Sequence, residues 1–203
     1  MKYKWLNKEN NKKLIVFFNG WGMDECVVKH LQAGNYDVLM FYDYNSLDTD
    51  FDFESINTYS EKYLIAWSMG VMIATLFDID YVSKTAVNGT LRPIDDEFGI
   101  PKRIYDVTLK CFSPKGAERF IKSMCSDNSD IYVTKRDFES QKSELEALTH
   151  YEAKQDFEYN RIILSNDDKI IPTKNQAAYW GMEPNIDSGH APFYKFIKWS
   201  ELL

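Results

Sequence analysis

Apolar positions in this chain gather into short unbroken runs. Residues 14–18 (LIVFF), 37–42 (DVLMFY), 63–67 (YLIAW) and 161–164 (RIIL) each read as a strand, and 85–87 as a weaker one. Uninterrupted runs of that length suit strands covered on both faces. Between them, residues 24–33, 53–62 and 69–77 carry patterns that predict helices. Strands alternating with helices predict an α/β fold, a mostly parallel sheet with helices on both faces.

The middle of the chain breaks this alternation. From about residue 91 to 156 there are Pro93, Gly99, Pro101 and Pro114, then the charged stretches GAERFIKSM and DFESQKSELEALTHYEAK. No strong buried strand stands out there. This segment predicts a helical insertion between two sheet strands, within a single domain spanning 1–203. Insertions at the carboxyl ends of parallel strands form lids or substrate-binding walls. The closing stretch FYKFIKWSELL reads as a final helix.

Composition narrows the classes. A length of 203 residues with 44% hydrophobic and 15% aromatic positions suits one globular domain with a substantial core. A formal charge of -7 and a pI near 5.0 exclude the basic footprint of a nucleic-acid binder. No run is long enough for a membrane span, and MKYKWLNKENNKK lacks the apolar core of a signal peptide. Cys26, Cys111 and Cys125 are too few and scattered for a disulfide framework or a metal site. The expected setting is the reducing cytoplasm, with neither metal nor organic cofactor.

One polar residue interrupts the best strand–helix junction. In YLIAWSMGVMIATLF, Ser68 follows the strand-like run and precedes the helix-like one. Ala66-Trp67-Ser68-Met69-Gly70 matches the nucleophile elbow G-x-S-x-G in placement and small-residue spacing, with Ala in the first small slot. Strand and helix nearly touch at such a turn, so the flanking positions must be small. A helix starting at Met69 directs backbone amides toward the serine oxygen. A serine that merely caps a helix is the plain alternative.

The remaining chemistry falls in the chain order Ser, acid, His. The late strand-like run leads into Ser165-Asn166-Asp167-Asp168-Lys169-Ile170-Ile171-Pro172, and Ser188-Gly189-His190-Ala191-Pro192-Phe193 follows. Of the three histidines, His30 and His150 lie in helix-like stretches, whereas His190 lies in a loop enforced by Gly and Pro. The first strand runs into Asn19-Gly20-Trp21-Gly22-Met23-Asp24, whose glycines let amides turn toward a substrate oxygen.

FFNGWGMD, AWSMGVMIA, NGTLRPIDDEFGIP, SNDDKIIP and SGHAPF together resemble the BioG-type pimeloyl-[acyl carrier protein] methyl ester esterases of biotin synthesis. The resemblance runs from Leu14 to Phe193 and is weakest in the insertion. Asn19 stands where the related BioH-type esterases usually have histidine. The resemblance implies an α/β-hydrolase fold with Ser68 as nucleophile, His190 as base and Asp168 as its carboxylate partner. Asp168-Lys-Ile-Ile-Pro fits the hydrolase pattern Asp-x-x-(Ile/Val)-Pro, which favours Asp168 over Asp167. It further implies the amides of Trp21 and Met69 as oxyanion hole, and Trp21 as an aromatic wall. The implied substrate is the methyl ester of pimeloyl-[acyl carrier protein]. Leu91, Ile94, Phe98, Ile104, Phe112 and Phe120 are candidates to line an acyl channel. Arg92, Lys102, Arg103, Lys115, Arg119 and Lys122 are candidates to dock the acidic carrier, with Lys115, Arg119 and Lys122 on one helical face.

Two other readings stay open on sequence alone. One is a general short-chain carboxylesterase or thioesterase with the same triad. The other is a catalytically silent hydrolase-fold binding module. A monomer is compatible with either, and the sequence does not set the oligomeric state.

Overall fold

The structure is a computed structural model that describes residues 1–124 and 133–203; Cys125 lies outside the described residues. Six strands form one sheet: β1 (Lys2–Asn7), β2 (Lys13–Phe18), β3 (Tyr36–Tyr42), β4 (Glu61–Trp67), β5 (Ser83–Val87) and β6 (Arg161–Ile163). Their order is β1-β3-β2-β4-β5-β6, with β1 antiparallel to β3 and every other pair parallel. The α/β reading therefore stands, and the five apolar runs are its parallel strands.

Alternation along β2, β3 and β4 divides the core into two layers. Leu14, Val16, Phe18, Leu39, Phe41, Leu64 and Ala66 face one side. Ile15, Phe17, Val38, Met40, Ile65 and Trp67 face the other. The first face packs under helix α1 (Met69–Ile73) and under Tyr105, Phe112 and Leu145 of the insertion. The second is covered by residues 23–31 and by the tail residues Phe193, Trp199 and Leu202.

Several elements differ from the sequence expectation. β1 was not foreseen because it is an edge strand: lysines alternate with Tyr3 and Trp5, and those rings pack on Phe51. The helix expected over 24–33 is one 3-10 turn, Glu25–Val27. Cys26, Val27 and Val28 are all buried, and three consecutive buried positions do not fit one helical stripe. The helix expected over 53–62 is a 3-10 segment, Phe53–Thr58, because Glu61 and Lys62 pair with Lys13 and Leu14 in the sheet. The helix expected over 69–77 is α1 continued by the 3-10 turn Ala74–Leu76. The tail forms two 3-10 turns, Pro192–Lys195 and Trp199–Leu202, rather than a helix.

Between β5 and β6 the chain supplies α2 (Lys102–Cys111), α3 (Pro114–Met124) and α4 (Phe138–Ala147), and after β6 comes α5 (Thr173–Trp180). No helix among the described residues is long and apolar enough to cross a membrane. β2 runs to β3 on one side, whereas β4 runs to β5 on the other. The crevice at the carboxyl ends of β2 and β4 is therefore the switch point, where open α/β sheets bind ligands.

Asp37 near the start of β3 ties the β1–β2 connection and Tyr59 to the sheet. Its Oδ1 accepts from the amides of Glu9 and Asn11, and its Oδ2 from the Tyr59 hydroxyl at 2.7 Å. Burial acts to raise its pKa, but these hydrogen bonds outweigh it and hold the carboxyl below its usual value. Its stabilisation is therefore complete above the pKa of an unfolded aspartate and lost as pH falls through the lower folded value. Asp37→Asn is expected to cost about 1–3 kcal/mol at neutral pH. In denaturant titrations the gap from the parent should close on acidification; a gap constant with pH contradicts this account.

Candidate active site

The loops leaving β2, β4 and β6 and the loop bearing His190 meet at the switch point. Ser68 follows β4 directly and has φ +58° and ψ −125°, a strained conformation for a residue with a Cβ. The strain has a visible cause. A Cβ at Gly70 would lie 2.3 Å from the Phe18 carbonyl oxygen and 2.6 Å from that of Asn19. The helix thus packs directly on the end of β2, and the chain must reverse within one residue. The Ser68 amide donates to the Val87 carbonyl at 3.0 Å, and the Ser68 carbonyl accepts from Val71 at 3.0 Å. Ala66 is fully buried between Phe18 and Ala86 in the sheet, so the first small slot is filled by a side chain that fits.

His190 Nε2 lies 2.8 Å from Ser68 Oγ, and His190 Nδ1 lies 2.7 Å from Asp168 Oδ2. The imidazole is 1% exposed. Asp168 Oδ1 accepts from the amides of Ile170 and Ile171 at 2.8 and 3.0 Å. The neighbouring Asp167 is exposed and pairs with Lys169 at 3.2 Å, so only Asp168 of the two meets the imidazole. His30 bonds the Phe193 carbonyl, and His150 is exposed on the surface; neither joins the cluster.

Two supporting residues were not foreseen. Gln176 on α5 donates from Nε2 to Asp168 Oδ2 at 2.8 Å and to the Ile171 carbonyl at 2.7 Å. Asn88, just past β5, donates to the His190 carbonyl at 2.9 Å, and its Oδ1 accepts from the Ser165 amide at 2.8 Å. The Trp67 indole donates to the same His190 carbonyl at 2.8 Å. Asn88 thereby joins the acid loop to the histidine loop. Neither role could be read from sequence: the Asn88 contact spans 102 positions, and Gln176 reaches back eight positions into a loop with no periodic signal.

The Asn19–Asp24 loop forms the facing wall. The Asn19 side chain accepts from the Gly20 amide at 2.9 Å and donates to the Asp24 carbonyl at 2.9 Å, which closes the loop on itself. Gly22 has φ +72°, a conformation that glycine adopts without cost. The amides of Trp21 and Met69 have no acceptor among the described residues. Trp21, Ser68 and Met69 border one cavity of about 200 Å³, together with Ile104, Phe120 and Leu145 of the insertion.

The insertion residues suggested for the acyl channel separate into groups. Ile104 and Phe120 line the cavity at Ser68. Phe112 stacks on Phe138 and meets the Trp21 ring edge-on. Leu91 and Ile94 line a different depression, bordered by Met72 and Tyr151, and Phe98 packs against Tyr179. Of the basic candidates, Lys115, Arg119 and Lys122 are exposed on α3, and Lys102 and Arg103 on α2. Arg92 instead pairs with Asp95 at 2.6 Å, with its guanidinium over the Phe98 ring.

A family model described as "Pimeloyl-ACP methyl esterase BioG" matches residues 1–202. The chain belongs to the BioG family. The crystal structure of selenomethionine-labelled BioG from Haemophilus influenzae is similar to it, with a TM-score of 0.90 and 34% identity over 100% of this chain and 99% of that one. A Bacteroides fragilis protein named malonyl-[acyl-carrier protein] O-methyltransferase is 35% identical over 181 residues. That match takes in 83% of this chain but only 36% of the length of that relative. A putative aryl esterase from Burkholderia cenocepacia shares the fold, with a TM-score of 0.66 at 14% identity over 95% of this chain and 88% of that one.

Changing the acid of the cluster separates the two adjacent carboxylates. Asp168→Asn keeps the shape but offers His190 the wrong tautomer, so ester turnover should fall by about 10⁴-fold. Asp167→Asn should leave turnover unchanged. Initial rates on a chromogenic ester check both, and equal losses contradict the assignment.

Proposed function

We propose that this BioG-family chain is a serine carboxylesterase that hydrolyses the methyl ester of pimeloyl-[acyl carrier protein], freeing the distal carboxylate in biotin synthesis. The observation that carries the proposal is the Ser68–His190–Asp168 relay at 2.8 and 2.7 Å, bordering a largely apolar cavity. His190 Nε2 takes the Ser68 proton as Oγ attacks the ester carbonyl. The carbonyl oxygen becomes an oxyanion, held by the Trp21 and Met69 amides. His190 then protonates the departing methoxide, and methanol leaves an acyl-Ser68. Water, deprotonated by His190, attacks that acyl group and releases the carboxylic acid. Asp168 fixes the Nδ1–H tautomer throughout and balances the imidazolium charge.

The carrier half of the proposal rests on different support. The Bacteroides relative is named for methyl transfer onto a carrier-bound malonyl group; a carrier-bound methyl ester fits the chemistry proposed for Ser68. An acidic carrier needs a local basic surface on a chain of net charge -7. Lys115, Arg119 and Lys122 on α3 supply one on the helix that also brings Phe120 to the cavity. Arg92 sits apart from it, engaged by Asp95. Cytoplasmic action, where carrier protein is available, belongs to the same proposal.

The test is hydrolysis of pimeloyl-carrier methyl ester, followed by the charge gained at the new carboxylate. The parent should turn over and Ser68→Ala should not. Turnover of simple short-chain esters alone favours the general esterase, and inertness toward both favours a binding module. Replacing Lys115, Arg119 and Lys122 together by Glu should raise KM for the carrier-borne ester and leave a small ester unaffected. An unchanged KM removes α3 as the docking surface.

A further inference from the structure

The insertion carries two buried charges that take no part in the relay. Glu144 on α4 is completely buried, and Arg136 just before that helix is 4% exposed at its side chain. Arg136 Nη1 meets Glu144 Oε2 at 2.7 Å, and Arg136 Nη2 meets Asp43 Oδ1 at 3.0 Å. Buried ion pairs seldom repay their desolvation in stability. Their placement here points to another use.

Glu144 Oε2 also accepts from the Gly22 amide at 3.1 Å, and Oε1 accepts from the Tyr44 amide at 2.9 Å. One carboxylate therefore clamps the loop after β2 to the loop after β3. The same segment grips the first of these loops at further points. The Gln141 carbonyl accepts from the Trp21 indole at 2.8 Å. The Lys135 amide donates to Asp24 Oδ2 at 2.6 Å. Residues 134–144 thus hold Trp21, Gly22 and Asp24 from outside, while Asn19 holds the loop from inside.

We infer that Glu144, itself held by Arg136, is a positioning residue: it fixes the Trp21–Gly22 peptide through the Gly22 amide, and through it the adjoining Gly20–Trp21 peptide, whose N–H (that of Trp21) points at the oxyanion. The inference rests on the reading above, in which Ser68 is the nucleophile and Trp21 supplies one oxyanion donor. An oxyanion hole works because its dipoles are already oriented when charge develops. The Gly22 position has φ +72° and no side chain of its own to restrain it. A charged acceptor supplies the restraint, since hydrogen bonds to a carboxylate are about twice as strong as neutral ones. On this account the insertion completes the reacting centre as well as walling the cavity.

Glu144→Gln tests it, beside a double variant, Glu144→Gln with Arg136→Met, that leaves neither member of the pair charged. Three quantities are read on folded protein: kcat and KM for a short-chain p-nitrophenyl ester, and the inhibition constant of an alkyl trifluoromethyl ketone. The ketone adduct on serine carries an oxyanion, whereas ground-state substrate does not. The expected result is an unchanged KM, with kcat lowered by about tenfold or more and ketone affinity lowered by the same factor. Rates are normalised to the folded fraction from thermal unfolding. Parental kcat and ketone affinity per folded molecule, in either variant, overturn the inference. So does a loss confined to KM. Ser68→Ala runs alongside: if it retains activity, the underlying site reading fails too. If it is inactive while the Glu144 variants match the parent, only the positioning role fails.

Discussion

The close contact between Gly70 and the end of β2 governs the arrangement of the site. No side chain fits between α1 and the Phe18 and Asn19 carbonyls, so the helix sits against the strand and the chain reverses at Ser68. The reversal forces φ to +58°, at a cost of order 1–3 kcal/mol that the surrounding packing must offset. Gly89 continues the constraint on the far side, where a Cβ would lie 2.5 Å from the Ser68 carbonyl. The outcome is a hydroxyl presented at the carboxyl edge of the sheet, where the other loops can reach it.

The other members of the site arrive through side-chain anchors rather than through regular structure. The His190 carbonyl is held by Asn88 and Trp67. Asp168 is oriented by two amides and by Gln176, leaving Oδ2 facing the imidazole. The Asn19–Asp24 loop is held by its own asparagine and by Glu144. Each anchor fixes the backbone of one segment of the cluster, and under the proposed chemistry that leaves little reorganisation for the reaction.

Sequence reading succeeded where one physical requirement dominates. Parallel strands buried on both faces must be continuously apolar, so LIVFF, DVLMFY and YLIAW declared themselves. The tight turn at Ser68 showed through because Ala66 and Gly70 must be small, and the Ser68, Asp168 and His190 singled out by chain order do come together, with His190 within hydrogen-bond reach of both others. Reading failed where the requirement is tertiary. KYKWLN alternates because only one side of an edge strand packs, and it lacks a continuous run. Residues 24–33 contain good helical spacing, yet burial of Cys26, Val27 and Val28 together overrides it. Glu144 lies in the charged stretch DFESQKSELEALTHYEAK; only the fold shows that it is buried against Arg136 and two backbone amides. Asn88 and Gln176 were invisible for the same reason: their partners lie 102 and 8 positions away in loops with no periodic signal.

The central claim is that His190 activates Ser68 as a nucleophile, and active-site labelling tests it most directly. The protein would be treated with a serine-directed fluorophosphonate and the adduct located by peptide mass spectrometry, in the parent and in His190→Ala. The account predicts one adduct, on Ser68, formed rapidly in the parent and far more slowly without the imidazole. Labelling at another residue, or equal rates in the two proteins, would contradict it.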